Sequence, residues 1–261
     1  MKKRYTFIAN WKMFFDFSES MNYITKNLDQ IISLADLPNV SVILCPSFPM
    51  LYPMVQIFRQ TKVQIGAQNC SDHTNGSFTG QVCAKTLNQI GCRACIIGHS
   101  EIRIYKSETD DMIAKKFDML LDTGLSPILC VGESEFDYKN AKTLAVIDEQ
   151  LKRVIEIVSH AAKKLNGRPI YIAYEPEWCI GTGTTPPSDK LESIFAWISM
   201  QIQKHCPASN WQLLYGGSVD AENATRIGQI PYVNGFLIGK TSTNFELFEK
   251  IVKSTILGNN S

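Results

Sequence analysis

Glu175 closes an apolar run, IYIAYE, and a Gly- and Thr-rich stretch ending in two prolines, CIGTGTTPP, follows after three intervening residues. A carboxylate at the end of a buried run can serve as an acid–base group, because burial and neighbours tune where it holds its proton. A second run, ACIIGHSE, ends on His99 followed by Ser100 and Glu101. Backbone N–H groups at those two positions can hold one ring nitrogen as acceptor and leave the other as donor. A third, YTFIANWK, ends on Asn10, whose amide can donate a hydrogen bond, and Lys12, which carries a fixed positive charge. Two more runs end in Gly216-Gly217-Ser218 and Gly239-Lys240, and glycine lets backbone N–H groups come close to an anion. Taken singly, such a Lys is a solvated charge, such an Asn a turn residue and such a Glu a helix cap. Gathered on one face opposite Gly-rich turns, they make a site for proton transfer beside an anion.

The elements that carry these ends can gather them. Apolar runs recur as YTFIAN, VSVILCP, VQIGAQN, ACIIGHS, SPILCVG, PIYIAYE, WQLLYGG and GFLIG, starting at 5, 40, 63, 94, 126, 169, 211 and 235. They are continuous rather than alternating, the pattern of strands buried on both faces of a parallel sheet. Between most of them lie segments with helical spacing, such as TDDMIAKKFDMLLDTG and the stretch 141–167. In the latter, Leu144, Ile147, Leu151, Val154, Ile155 and Val158 form one stripe. Eight strand–helix alternations in a chain of 261 residues predict an α/β fold, a single (β/α)8 barrel over residues 1–261. A doubly wound open sheet normally carries a Gly-rich turn after its first strand, and here that turn is Asn-Trp-Lys. In such a barrel the site forms at the C-terminal strand ends, which are the positions just named.

Composition narrows the function. Net charge is +1 with no Lys/Arg block, so neither nucleic acid nor a membrane surface is expected as a partner. The opening MKKRYTFIANWK has a basic start, but Asn10 and Lys12 interrupt its apolar run, and a cytoplasmic location is expected. Most of the eight cysteines sit in apolar runs and read as reduced buried thiols. Cys92 and Cys95 spell C-x-x-C, yet no second pair or ligand-spaced His follows, so no metal site is expected.

With these residues in order, the chain resembles the triosephosphate isomerase family from its first strand to its last. The stretches carrying the likeness are ANWKM, GAQN, GSFTG, IIGHSE, CVGES, AYEPEWCIGTGT and LYGGSV. The resemblance implies a TIM barrel that interconverts dihydroxyacetone phosphate and glyceraldehyde 3-phosphate through an enediolate, without a cofactor. It makes Glu175 the base, His99 a neutral electrophile, and Lys12 and Asn10 substrate-binding groups. It implies a mobile lid hinged at Pro176, Glu177 and Trp178 and again at Thr184, Thr185 and Pro186. The lid tip, Ile180, Gly181, Thr182 and Gly183, would bring the Gly181 N–H to the substrate phosphate. Tyr215 and Ser218 would latch the closed lid, and Ser218, Gly239 and Lys240 would border the phosphate. It also implies a homodimer in which the loop from Cys70 to Gly80 brings Thr79 toward the partner's active site.

Several positions depart from the family pattern. A usual pair of arginines is reduced to Ile102-Arg103, Gln81 replaces a common Glu, and Glu177 replaces an apolar hinge residue. Lys240 stands where a second Gly is usual. A sister isomerase acting on a four-carbon ketose phosphate such as erythrulose phosphate is the nearest alternative. A nucleotide-binding reading of GFLIGKTS fails on Asn234, which occupies the first Gly position, and on Phe236, Leu237 and Ile238, which read as strand. A barrel that has lost turnover is opposed by the intact Asn10, Lys12, His99 and Glu175 set.

Overall fold

The computed structural model describes residues 3–165, 167–207 and 209–258, with 161–165 described by their backbone alone. Eight parallel strands run β1 Tyr5–Asn10, β2 Val40–Cys45, β3 Gln64–Ala67, β4 Ala94–Ile97, β5 Ser126–Val131, β6 Ile170–Tyr174, β7 Trp211–Tyr215 and β8 Val233–Ile238. Each pairs with the next, and β8 pairs with β1 to close the barrel, as the eight apolar runs predict. Because successive side chains alternate in a strand, every strand feeds two apolar regions. Ile8, Ile43, Ile96, Ile128, Tyr171, Leu214 and Leu237 point inward with Cys45, Ala94, Cys130 and Ala173, filling the barrel. Their neighbours, such as Phe7, Val42, Leu129 and Phe236, point outward against the helices.

The helices are α1 Phe17–Asp36, α2 Leu51–Phe58, α3 Ala84–Ile90, α4 Ser100–Lys106, α5 Asp110–Thr123, α6 Glu135–Lys139, α7 Thr143–Leu165, α8 Ser188–His205, α9 Ala221–Gln229 and α10 Phe245–Leu257. Their starts are written locally. Asp16 and Glu19 form a capping box on α1, Asp220 and Asn223 another on α9, and the Thr109 hydroxyl caps α5. The stripe on α7 begins one turn later than its spacing predicts. Ile147, Leu151, Val154 and Val158 are buried, whereas Leu144 lies in the first turn and is 40% exposed. No helix among the described residues is long and apolar enough to cross a membrane.

Phe236, Leu237 and Ile238 lie within β8, and the Asn234 side chain accepts a hydrogen bond from the Leu213 N–H of β7, so this segment is strand and not a phosphate loop. All eight cysteines are free, and Cys92 and Cys95 are both buried. Burial pushes the Cys92 thiol up to about 12. Among the described residues no group of three or more potential metal ligands forms.

Candidate active site

A cavity of about 510 Å³ opens at the C-terminal ends of the strands. Asn10, Lys12, His99, Glu175, Ile180, Gly181, Gly183, Ser218, Gly239 and Lys240 all line it. Pro176, Trp178, Thr182, Tyr215 and Thr79 do not. Thr79 lies on an exposed loop, and the others frame the segment over the cavity.

Lys12 sits in the left-handed backbone region, φ 48°, which side chains bearing a Cβ adopt at a cost. Its surroundings hold it there. The Asn10 side chain accepts from the Lys12 N–H at 3.1 Å, and the Gln68 amide donates to the Lys12 carbonyl at 2.8 Å. Behind the turn, Trp11 is buried edge-on against Phe15 and Tyr23. This backbone sends the ammonium into the cavity, 2.7 Å from Glu101 Oε1 and beside Gly239. A fixed positive charge therefore stands next to a glycine turn.

His99 occupies the N-cap of α4, and its Nδ1 accepts from the Glu101 N–H at 3.2 Å. A nitrogen that accepts an N–H bond has no proton of its own, so the proton of the neutral ring is on Nε2. The Glu101 carboxylate is 3.7 Å from Nδ1, beyond hydrogen-bond range, so the backbone contact sets the tautomer. Nε2 points across the cavity to Glu175 Oε1, also at 3.7 Å. Donor and carboxylate thus face one small volume from two sides.

Glu175 is 4% exposed; among the described residues no nitrogen or oxygen hydrogen-bonds its buried Oε2, and the Cys130 thiol lies against the carboxylate. Two glycines clear space for it. A Cβ at Gly132 would fall 1.9 Å from the Glu175 carbonyl, and one at Gly216 would fall 2.4 Å from Glu175 Cγ. Sequence reading assigned Gly216 to an anion turn; its close contact with Glu175 emerges only when β6 and β7 pair.

Behind His99, the departure at Ile102 leaves a charged network intact. Arg103 donates from Nε to the Gly98 carbonyl at 2.8 Å and from Nη1 to Asp110 at 2.6 Å. A buried ion pair, Glu108 with Lys116, adds to it. Glu108 accepts from the Gly98 N–H, and Lys116 donates to Asn69. Sequence reading missed this pair, although Lys116 falls on the apolar stripe of α5 beside Ile113, Phe117 and Leu120, where a cation demands a partner.

The segment 176–186 is fastened at several points. Ser218 Oγ donates to the Cys179 carbonyl at 2.6 Å and accepts from the Gly183 N–H at 3.0 Å. Arg226 donates to Thr185 Oγ1 at 3.0 Å and to Ser188 Oγ. Trp178 donates to Glu133, which also accepts from the Tyr174 hydroxyl. Glu133 is fully buried, and burial pushes its carboxyl above the usual range against these donors. Burial likewise raises Glu177, with the Arg103 charge opposing. The Tyr215 hydroxyl is buried beside the Cys179 thiol.

A buried carboxylate, a held imidazole and a cation around one cavity, under a fastened loop, suit proton transfer between carbons beside a carbonyl while an anionic group is gripped. Comparison with known proteins gives the same answer. The family described as Triosephosphate isomerase matches residues 5–255. A triosephosphate isomerase of Aquifex aeolicus is 35% identical over 94% of this chain and 97% of its own length. That of Carboxydothermus hydrogenoformans is 36% identical over 97% of this chain and 100% of its own. That of Alkaliphilus metalliredigens is 37% identical over 94% and 96%. On fold, cavity and full-length likeness together, the chain belongs to the triosephosphate isomerase family.

Proposed function

We propose that the chain interconverts dihydroxyacetone phosphate and D-glyceraldehyde 3-phosphate, with Glu175 as base. The carboxylate takes a proton from the carbon beside the carbonyl and returns it to the neighbouring carbon. His99 Nε2–H and the Asn10 amide hydrogen-bond the oxygens on which enediolate charge builds. Lys12 offsets the phosphate charge, and N–H groups at Gly181, Ser218 and Gly239 bind the phosphate, with Lys240 at its border. The loop from Pro176 through Trp178, Ile180, Thr182 and Gly183 excludes water and prevents loss of phosphate from the intermediate. Ser218 and Tyr215 latch it. The observation that carries this reading is the 3.7 Å approach of Glu175 Oε1 and His99 Nε2 with Nδ1 capped by the Glu101 N–H. A coupled assay with glyceraldehyde 3-phosphate beside erythrulose phosphates tests it. Triose turnover should dominate and fall by several orders of magnitude in Glu175→Gln, whose amide cannot accept the proton. Near-normal turnover in a folded variant refutes the assignment.

We further read residues 1–261 as one domain that assembles as a homodimer in the cytoplasm. The closed barrel from β1 to β8 supports the first, and eight free thiols suit a reducing compartment. Support for the dimer comes from large apolar side chains exposed beyond β1 to β4: Met13, Phe17, Phe48, Phe78 and Tyr105. They accompany the loop from Cys70 to Gly80, exposed from His73 onward, in which Thr79 is taken to reach the partner's Asn10. Sedimentation of a fully active monomer contradicts this.

A further inference from the structure

A second cavity, of about 520 Å³, lies at the opposite end of the barrel, where β1 to β4 begin. Among the described residues its wall holds four cations, Arg4, Arg59, Lys62 and Arg93, and no Asp or Glu. Lys62 meets Asp36 at 3.0 Å, both exposed. Among the described residues Arg4, Arg59 and Arg93 have no carboxylate in ion-pair range. The chain has 25 acidic residues against 26 basic ones, so a wall with four cations and no acid is a local choice and not a reflection of overall charge. Arg59 caps the carbonyl end of α2, and the helix dipole accounts for a cation there. It does not account for Arg4 and Arg93, which stand one residue before β1 and β4. Like charges sharing one recess repel, and an anion between them converts that repulsion into attraction.

The rest of the wall restricts which anion fits. Val40, Phe58, Val63 and Ile65 are buried apolar side chains, with Ser41 and Gln64 beside them. Inorganic phosphate would leave that wall unused, whereas a volume above 500 Å³ accepts a molecule of nucleotide size. Guanidinium groups match phosphate oxygens in pairs of parallel hydrogen bonds. We propose that this cavity binds a nucleoside triphosphate, with its phosphates on Arg4, Arg59 and Arg93 and its sugar and base against the Val40–Phe58–Ile65 wall. The site is separate from the isomerase cavity and does not depend on that assignment.

Calorimetric titration of the full chain with ATP, without divalent metal, tests it. One saturable site per chain is expected, weakening as salt rises. Arg59→Gln/Arg93→Gln should bind about tenfold more weakly, a modest figure because both guanidiniums are solvent-exposed. Arg93→Gln alone should fall between, and triose phosphate turnover by both variants should match wild type, reporting an intact fold. Lys12→Met, in the isomerase cavity, should bind ATP as wild type does. Pyrophosphate and adenosine should each bind more weakly than ATP. The proposal is overturned by an absence of saturable heat, by undiminished binding in the double variant, by loss of binding in Lys12→Met, or by pyrophosphate binding as tightly as ATP.

Discussion

Gly216→Ala isolates the position of Glu175 from its chemistry. The backbone at Gly216 lies outside the left-handed region, so an alanine there is not strained by its dihedral angles. Its methyl would meet Glu175 Cγ at 2.4 Å and Oε1 at 3.0 Å, whereas ordinary contact begins near 3.4 Å. The clash is at Cγ, close to the backbone, so rotating the carboxylate alone cannot relieve it. Relief requires a shift of about 1 Å, and such a misplacement of a reacting group costs about 100-fold in rate. Overpacking should lower stability by about 1–3 kcal/mol, leaving a folded barrel. The expected outcome is kcat reduced about 100-fold with KM nearly unchanged, because the groups proposed to grip the phosphate are not moved. Glu175→Asp, which shortens the side chain by one methylene, should give a loss of the same order by retreating from the substrate. Steady-state kinetics on both, with thermal melts as folding controls, decide it. If Gly216→Ala retains kcat within about threefold while its melt shows the expected destabilisation, the carboxylate tolerates displacement and the positional reasoning fails.

Arg226→Ala should raise KM about fivefold through loss of the Thr185 and Ser188 contacts, with kcat largely kept and Arg226→Lys restoring part of the effect. Lys240→Gly should change inhibition by a phosphate analogue less than about threefold, because Lys240 is exposed; a large loss that shrinks with salt would show its ammonium on the phosphate. Glu133→Gln should alter the pH profile of stability. A raised carboxyl binds its proton more tightly in the folded chain, so its contribution is fully present below the unfolded value near 4.5 and is lost as pH rises through the folded one. Chemical denaturation at stepped pH should therefore show the variant gaining on wild type as pH increases from 4.5, and a constant difference would contradict the burial argument.

The strands were legible because parallel strands buried on both faces must be apolar at every position, and IYIAY or VSVILC admits few other readings. The strand-end residues were legible for the same reason: Asn10, His99 and Glu175 are polar where the apolar run stops. What escaped depends on contacts between distant segments. Glu133 in CVGES reads as a loop carboxylate until Tyr174 and Trp178 arrive around it from the next strand and loop. Arg226 reads as one more exposed helix cation, and nothing near it in sequence points to Thr185. Leu144 fits the spacing of its stripe, but spacing does not say where along a helix burial begins.

The two bonds of Ser218 bear on how the proposed lid would open. One oxygen donates to Cys179 near the loop's first hinge and accepts from Gly183 near its second. Rotating the hydroxyl proton away from Cys179 does not by itself release Gly183, yet withdrawing the oxygen breaks both contacts in a single step. The two ends therefore do not peel away independently, and half-open states that keep one contact at ideal geometry are disfavoured. On the proposed lid reading, the gate is a switch with two positions, timed by one side chain of β7's following turn rather than by the flexibility of the glycines it holds.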